Sequence, residues 1–202
     1  MPPIVPPPDA IRAFATPAEL ETWLAANHDK ATELYLRIYK KGSSVPSVTY
    51  AQALDVALCW GWIDGVKKSF DEQSFLQRFS PRKAKSIWSK INREHVERLV
   101  REERMTGHGL RHVEAAKADG RWDAAYDSAS RMEIPADLLA AIEAEPRAYD
   151  IFLQLNGTNR YALAFRTHNM KTEAGRRKKI ADLVAMLARG EAPYPQAFAQ
   201  KD

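Results

Sequence analysis

The chain holds a single cysteine, Cys59, among its 202 residues. An internal disulfide framework and a multi-cysteine metal site are therefore both excluded. It has no run approaching the ~20 apolar residues that cross a bilayer as a helix. Its first residues show neither an early cationic region nor an apolar core of signal-peptide length. Instead, Pro2, Pro3, Pro6, Pro7 and Pro8 mark a short solvated tail. A cytoplasmic protein with no membrane span is expected. Glycine is sparse, at nine residues. None builds a glycine-rich phosphate loop, so nucleotide hydrolysis is not expected and no cofactor is called for.

What is present is an ordinary globular composition, 45% hydrophobic and 28% charged, which argues against wholesale disorder. The formal net charge of +4 permits an anionic partner without requiring one. The charge is segregated, however. Residues 78–104 carry nine Lys/Arg against four Glu, and residues 166–179 carry six against one. Each stretch is thus +5, leaving −6 on the remainder. Such asymmetry fits either an anion-facing surface or two basic helices in water.

Periodicity predicts an α+β fold. Thr16, Pro17 and Glu19 form a helix-start signal ahead of Leu20, Trp23 and Leu24, which recur at helical spacing. Leu34, Leu36 and Ile38 alternate with polar-faced neighbours, as in a half-buried strand. Thr49 and Gln52 make a second capping box, opening a helix that Gly61 should end. Residues 62–69 and 74–79 read as two strands. From about residue 86 the pattern is helical, with Ser89 as a cap and Gly120, Pro146, Gly157 and Gly190 as punctuation. The expected architecture is N-terminal helices on a small, mostly antiparallel sheet, followed by an all-helical C-terminal half. Residues 1–14 and 191–202 are expected as tails around a region spanning 15–190, with the front half over about 15–80 and the back half over about 86–190.

Two stretches could carry chemistry. In the first, Trp60 and Trp62 flank Gly61, with Cys59 before them and Asp64 after. They can be read as a stacking platform with a nucleophile and a general base, or as core anchors beside a buried thiol. No histidine signature accompanies Cys59, so both candidates for catalysis lack a partner. The second stretch holds Arg82, Lys83, Lys85, Ser86, Trp88 and Ser89 where a helix should begin. Unpaired N–H groups at a helix start suit phosphate or carboxylate, although ordinary capping explains the serines equally well. His108 and His112, four residues apart, lack the glutamate of the zinc-protease pattern and read as a surface pair, so no metal site is expected.

Several blocks resemble a known family. These are the run from Ala57 to Gly65, the run from Pro81 to Asn92, then Arg104 with Met105, and Asp119 to Trp122. In order and spacing they are similar to the YdeI/OmpD-associated (bacteriocin-protection) family across about residues 15–190. The block from Met170 to Ile180 is similar more loosely, with Met170, Gly175 and Lys179 standing where the family has Ala, Thr and Arg. The resemblance implies a link to tolerance of bacteriocins and cationic antimicrobial peptides, and to an outer-membrane porin. It implies no particular reaction.

Together these readings lead to three expectations. The first is a non-catalytic binding or stress-tolerance protein that holds an anionic ligand or acidic partner. Its ligand-binding set would be Arg82, Lys83, Lys85, Ser86, Trp88 and Ser89, with Trp62, Arg176 and Lys179. The second is an enzyme on a small phosphorylated or carboxylated substrate, with Asp64 as acid/base and Cys59 nearby. The third, nucleic-acid binding, needs both basic stretches to form one stripe. Oligomeric state stays open.

Overall fold

The structure, a computed structural model, describes residues 6–7, 10–127 and 131–199. The chain divides into two compact units, residues 1–125 and 126–202.

The first unit is a four-stranded mixed sheet with helices. In chain order it contains β1 (Ile11–Arg12), α1 (Pro17–Asn27), β2 (Leu34–Tyr39), α2 (Tyr50–Cys59), β3 (Trp62–Ser69), β4 (Ser74–Pro81), α3 (Lys90–Arg101) and α4 (Gly107–Ala118). The sheet order is β1-β2-β4-β3, with β1 parallel to β2 and the other pairs antiparallel. Part of the expected N-terminal tail is thus a short edge strand, while residues 1–5 and 8–9 of it lie outside the described residues. β2 buries Leu34, Leu36 and Ile38 on one face, as their alternation predicts. Phe75 and Phe79 of β4 sit opposite Ile38 and Leu34 on that same face. β3 takes one extra residue between Asp64 and Lys67, a bulge whose Gly65 carbonyl accepts from Gln77 Nε2 at 2.9 Å.

Caps set the helix starts. Thr49 and Gln52 make the full reciprocal box, Thr49 Oγ1 accepting from the Gln52 N–H and Gln52 Oε1 from the Thr49 N–H. At α1, Thr16 accepts from the Glu19 N–H, but Glu19 reaches back one residue further, to the Ala15 N–H. Leu20 and Leu24 of α1, six residues of α2, Val96 and Leu99 of α3, and Val113 and Ala116 of α4 close one core with Trp62, Trp88 and Trp122. Val100, on the same helix, is 46% exposed.

The second unit is helical: α5 (Ala136–Glu143), α6 (Pro146–Gln154), α7 (Gly157–His168) and α8 (Glu173–Ala188). A break at Gly157 with a further helix from about Asn159 is expected from the sequence. The break falls at residues 155–156 and Gly157 already opens the next helix, because Asn156 caps the Asn159 N–H at 2.9 Å. Leu138, Ile142, Phe152, Leu163, Leu183 and Leu187 form its core. The segment after α8 is tied down rather than free: Gln196 Oε1 accepts from the Asn156 N–H and from Asn159 Nδ2, and its Nε2 donates to the Gln154 carbonyl. Residues 200–202 lie outside the described residues.

α4 is seated against the end of α2 through Gly109. A Cβ there would lie 2.4 Å from the Cys59 carbonyl oxygen and 2.8 Å from that of Leu58. Backbone oxygens cannot swing aside as a side chain can. Gly109→Ala is therefore expected to destabilise the protein by roughly 1–3 kcal/mol, although alanine is the better helix former. Gly107→Ala, two residues earlier in open space, should be neutral or stabilising by up to about 1 kcal/mol. Urea midpoints of the two variants check this. Equal midpoints would contradict the close approach.

Candidate functional site

The site grows from the turn between α2 and β3. Gly61 ends α2 in the left-handed region, φ +74°, with its N–H donating to the Leu58 carbonyl at 3.1 Å. Its own carbonyl accepts the Arg82 N–H at 2.9 Å, which binds the start of β3 to the end of β4. The segment before α4 reaches the same corner. Thr106 donates to the Cys59 carbonyl from both its hydroxyl, at 2.6 Å, and its N–H, at 3.2 Å. The first turns of α4 thereby come to lie beside Trp60 and Gly61. A Cβ on Gly61 would stand 2.7 Å from His112 Cδ2. From the end of α1, the His28 carbonyl accepts Trp62 Nε1 at 3.1 Å.

These elements enclose a cavity of ≈ 320 Å³ lined by His28, Asp29, Trp60, Gly61, Trp62, Pro81, His108, Arg111 and His112. The rings form a cluster: His28 and His108 have centroids 3.9 Å apart, and Trp60 lies 5.0 Å from His28 and 5.8 Å from His108. His28 Nδ1 stands 3.1 Å from the Leu24 carbonyl, and its Nε2 stands 3.1 Å from His108 Nδ1. Arg111 Nη2 donates to that same His108 Nδ1 at 2.6 Å. Burial, then the neighbouring His28 and Arg111, hold the His108 imidazole below its ordinary pKa, with Asp29 pulling weakly the other way. His112 is lowered by burial and then by Arg82, Arg111 and Arg121. Arg121 is itself paired with Asp119 at 2.8 Å. Arg111 makes no ion pair with a carboxylate among the described residues, although Asp29 stands on the rim.

The residues singled out by the sequence fall in several places. Trp62 lines the cavity but is buried, and Arg82 flanks it through the bond to Gly61. The Arg82 side chain is 6% exposed, its guanidinium carbon 3.5 Å from the centre of the Trp88 ring. Trp88 packs edge-on to Trp122 at 4.9 Å. Ser86 Oγ accepts the Lys83 N–H at 3.1 Å, and Ser89 Oγ caps the Asn92 N–H at 3.2 Å. Lys83 and Lys85 are exposed. Cys59 is 2% exposed, and burial pushes its thiol up to about 11, which keeps it protonated. Asp64 lies outside the cavity lining and accepts from Tyr50 Oη at 2.9 Å; burial, followed by Asp64 itself, raises that phenol.

Arg176 and Lys179 belong to the second unit. Arg176 clamps Asp137 of α5 with two bonds of 2.6 and 2.8 Å and donates to the Thr167 carbonyl at 3.0 Å. The Asp137 carboxyl is held below its usual range by that guanidinium. Lys179 is half-buried on α8. Among the described residues no three His, Cys, Asp or Glu are placed to hold a metal ion, and no helix is long and apolar enough to cross a membrane.

Sequence reasoning did not find this cluster. His28 and His108 are eighty positions apart, so no local pattern joins them. The usable signal was Thr106 as a cap, which places His108, Arg111 and His112 in the first turns of one helix.

These features define a two-unit α+β protein whose first unit carries a ring-lined pocket with Arg111 and Asp29 in its wall. The chain belongs to the family described as a domain of unknown function (DUF8412), whose model matches residues 12–112, half its length. Residues 131–190 match the family model described as Bacteriocin-protection, YdeI or OmpD-Associated, which supports the resemblance seen in the sequence. The pocket lies within the first match, as does the 57–65 block that carried the resemblance. Comparison with curated proteins and with solved structures finds no match.

His108 and His112 bind protons more readily unfolded than folded. Their contribution to stability is complete above the ordinary histidine value of 6.5 and is lost as pH falls through and below it. The urea midpoint is expected to be lower at pH 5.5 than at pH 7.5, by an amount that shrinks in His112→Gln. A midpoint that does not change over this range would contradict the lowering of the two imidazoles.

Proposed function

We propose that the protein is a non-catalytic binding protein in a role related to bacteriocin protection, and that it holds a small oxyanion, a carboxylate or phosphate group, in the pocket of its first unit. The observation that carries this reading is Arg111. Its guanidinium lines the cavity and donates to the His108 imidazole instead of a carboxylate. A guanidinium fork matches carboxylate and phosphate oxygens, and hydrogen bonds to such ions are the strong ones. The volume of ≈ 320 Å³ suits a small ligand. The match over residues 131–190 supports the bacteriocin-related role.

The start of α3 is the second place for an anion. Its lysines are in water, but the Ser86 and Ser89 oxygens already accept backbone N–H groups and the Arg82 guanidinium packs over the Trp88 ring. An acid/base role for Asp64 or a nucleophilic one for Cys59 gains no support from the geometry, since Tyr50 occupies the first and burial protonates the second.

Thermal unfolding in sulfate separates the two places. At ten times its dissociation constant a ligand stabilises by roughly 1.4 kcal/mol, a rise in Tm of a few degrees for a chain of this size. The parent and Lys83→Ala/Lys85→Ala are expected to show this rise, and Arg111→Ala to lose it. The reverse pattern would move the anion to the start of α3.

A further inference from the structure

A bare anion in this pocket meets one group that disfavours it, the Asp29 carboxylate in the same wall as Arg111. Asp29 lies exposed in the turn after α1. That turn is held by its backbone, the Lys30 and Ala31 N–H groups both donating to the Asn27 carbonyl, at 3.0 and 2.9 Å. The His28 carbonyl, which leads into Asp29, is pinned to the cavity wall by Trp62 Nε1 at 3.1 Å. The adjacent Lys30 turns elsewhere, its Nζ donating to the Ala26 carbonyl at 3.0 Å. Among the described residues Asp29 forms no ion pair, with Arg111 or with any other cation. Arg111 has no carboxylate partner either and donates to His108 Nδ1 at 2.6 Å. After burial and His28, the charges bearing on the His108 ring are Arg111 and, in the opposite sense, Asp29, so both act at one imidazole. One cavity thus carries a guanidinium and a carboxylate that do not neutralise each other. A ligand of one sign satisfies one of them and is repelled by the other.

We infer that the pocket takes a zwitterion, an ammonium and a carboxylate on one short chain, with the carboxylate on Arg111 and the ammonium on Asp29. This rests on the anion-binding reading above and narrows it to aminocarboxylates. A guanidinium fork matches the two oxygens of a carboxylate, and an ammonium brings three donors to the oxygens of Asp29. Hydrogen bonds between ionised partners of both kinds are the strong ones. Trp60 and Pro81, in the same wall, offer carbon surface to the chain between the charges, and the volume of ≈ 320 Å³ admits a molecule of this size. A free amino acid and the two ends of a very short peptide present the same pair of charges, and differ in the amide between them.

Calorimetric titration of the full chain at neutral pH tests this. The ligands are glycine, β-alanine, γ-aminobutyrate and δ-aminovalerate, which set the two charges progressively farther apart, with acetate and sulfate as bare anions. Glycylglycine has the charge spacing of δ-aminovalerate with a peptide bond inside, so comparing the two separates a free aminocarboxylate from a peptide. At least one zwitterion is expected to bind about tenfold more tightly than acetate, the worth of one modest charge-assisted bond. Asp29→Asn should weaken that zwitterion while leaving acetate at least as tight as in the parent, a split that damage to the fold does not produce. Acetate and sulfate binding as tightly as every zwitterion would overturn the inference and leave the anion reading standing. An Asp29→Asn variant that keeps the parent's preference would overturn the place given to Asp29. Binding of neither the anions nor any zwitterion would overturn both readings.

Discussion

The approach of α4 to the end of α2 is the constraint on which the site depends. The last carbonyls of α2 need partners, and Thr106 satisfies that of Cys59 twice over. The contact is possible because Gly109 presents no Cβ to the same oxygens. Once α4 is held there, His108, Arg111 and His112 are carried by helix geometry to the Trp60–Gly61 corner. Gly61 must also lack a side chain, both for its positive φ and for the His112 ring that lies against it. Two glycines and one threonine thus convert a helix end into a pocket.

Basic charge elsewhere in the chain is largely absorbed by structure. Arg82 lies on Trp88, Arg93 donates to the Trp122 carbonyl at 2.7 Å, and Arg98 reaches both oxygens of Asp55 from α3 to α2. Asp55 is lowered chiefly through its bonds to Arg98 and His95, against the cost of burial. In the second unit Arg176 performs the same task on Asp137. A net positive stretch is therefore a poor guide to a binding surface. What distinguishes Arg111 is that its donated bond goes to a neutral ring.

Much of the fold was legible because it rests on local rules. The alternation of β2, the capping box at Thr49 and the terminators Gly61, Gly120 and Gly190 each act within a few residues of themselves. β1 escaped notice because two residues show no period and its pairing with β2 is not local. The break expected at Gly157 falls two residues earlier because the cap at Asn156 outweighs the weak helix preference of glycine. The site was less legible than the fold. Trp62 lines the pocket, whereas Arg82 meets its Gly61 only through the backbone; His28 and Arg111 enter from separate elements that the tertiary contact at Gly109 helps unite.

The central claim is that an anion is held beside Arg111 at the Trp60 corner. Two-dimensional ¹H–¹⁵N spectra followed through a sulfate titration test it directly. The account predicts saturable shifts of the Trp60 indole and of the His108, Arg111 and His112 amides, with one common affinity. Shifts centred on Lys83 to Lys90, with the Trp60 indole unmoved, would contradict it.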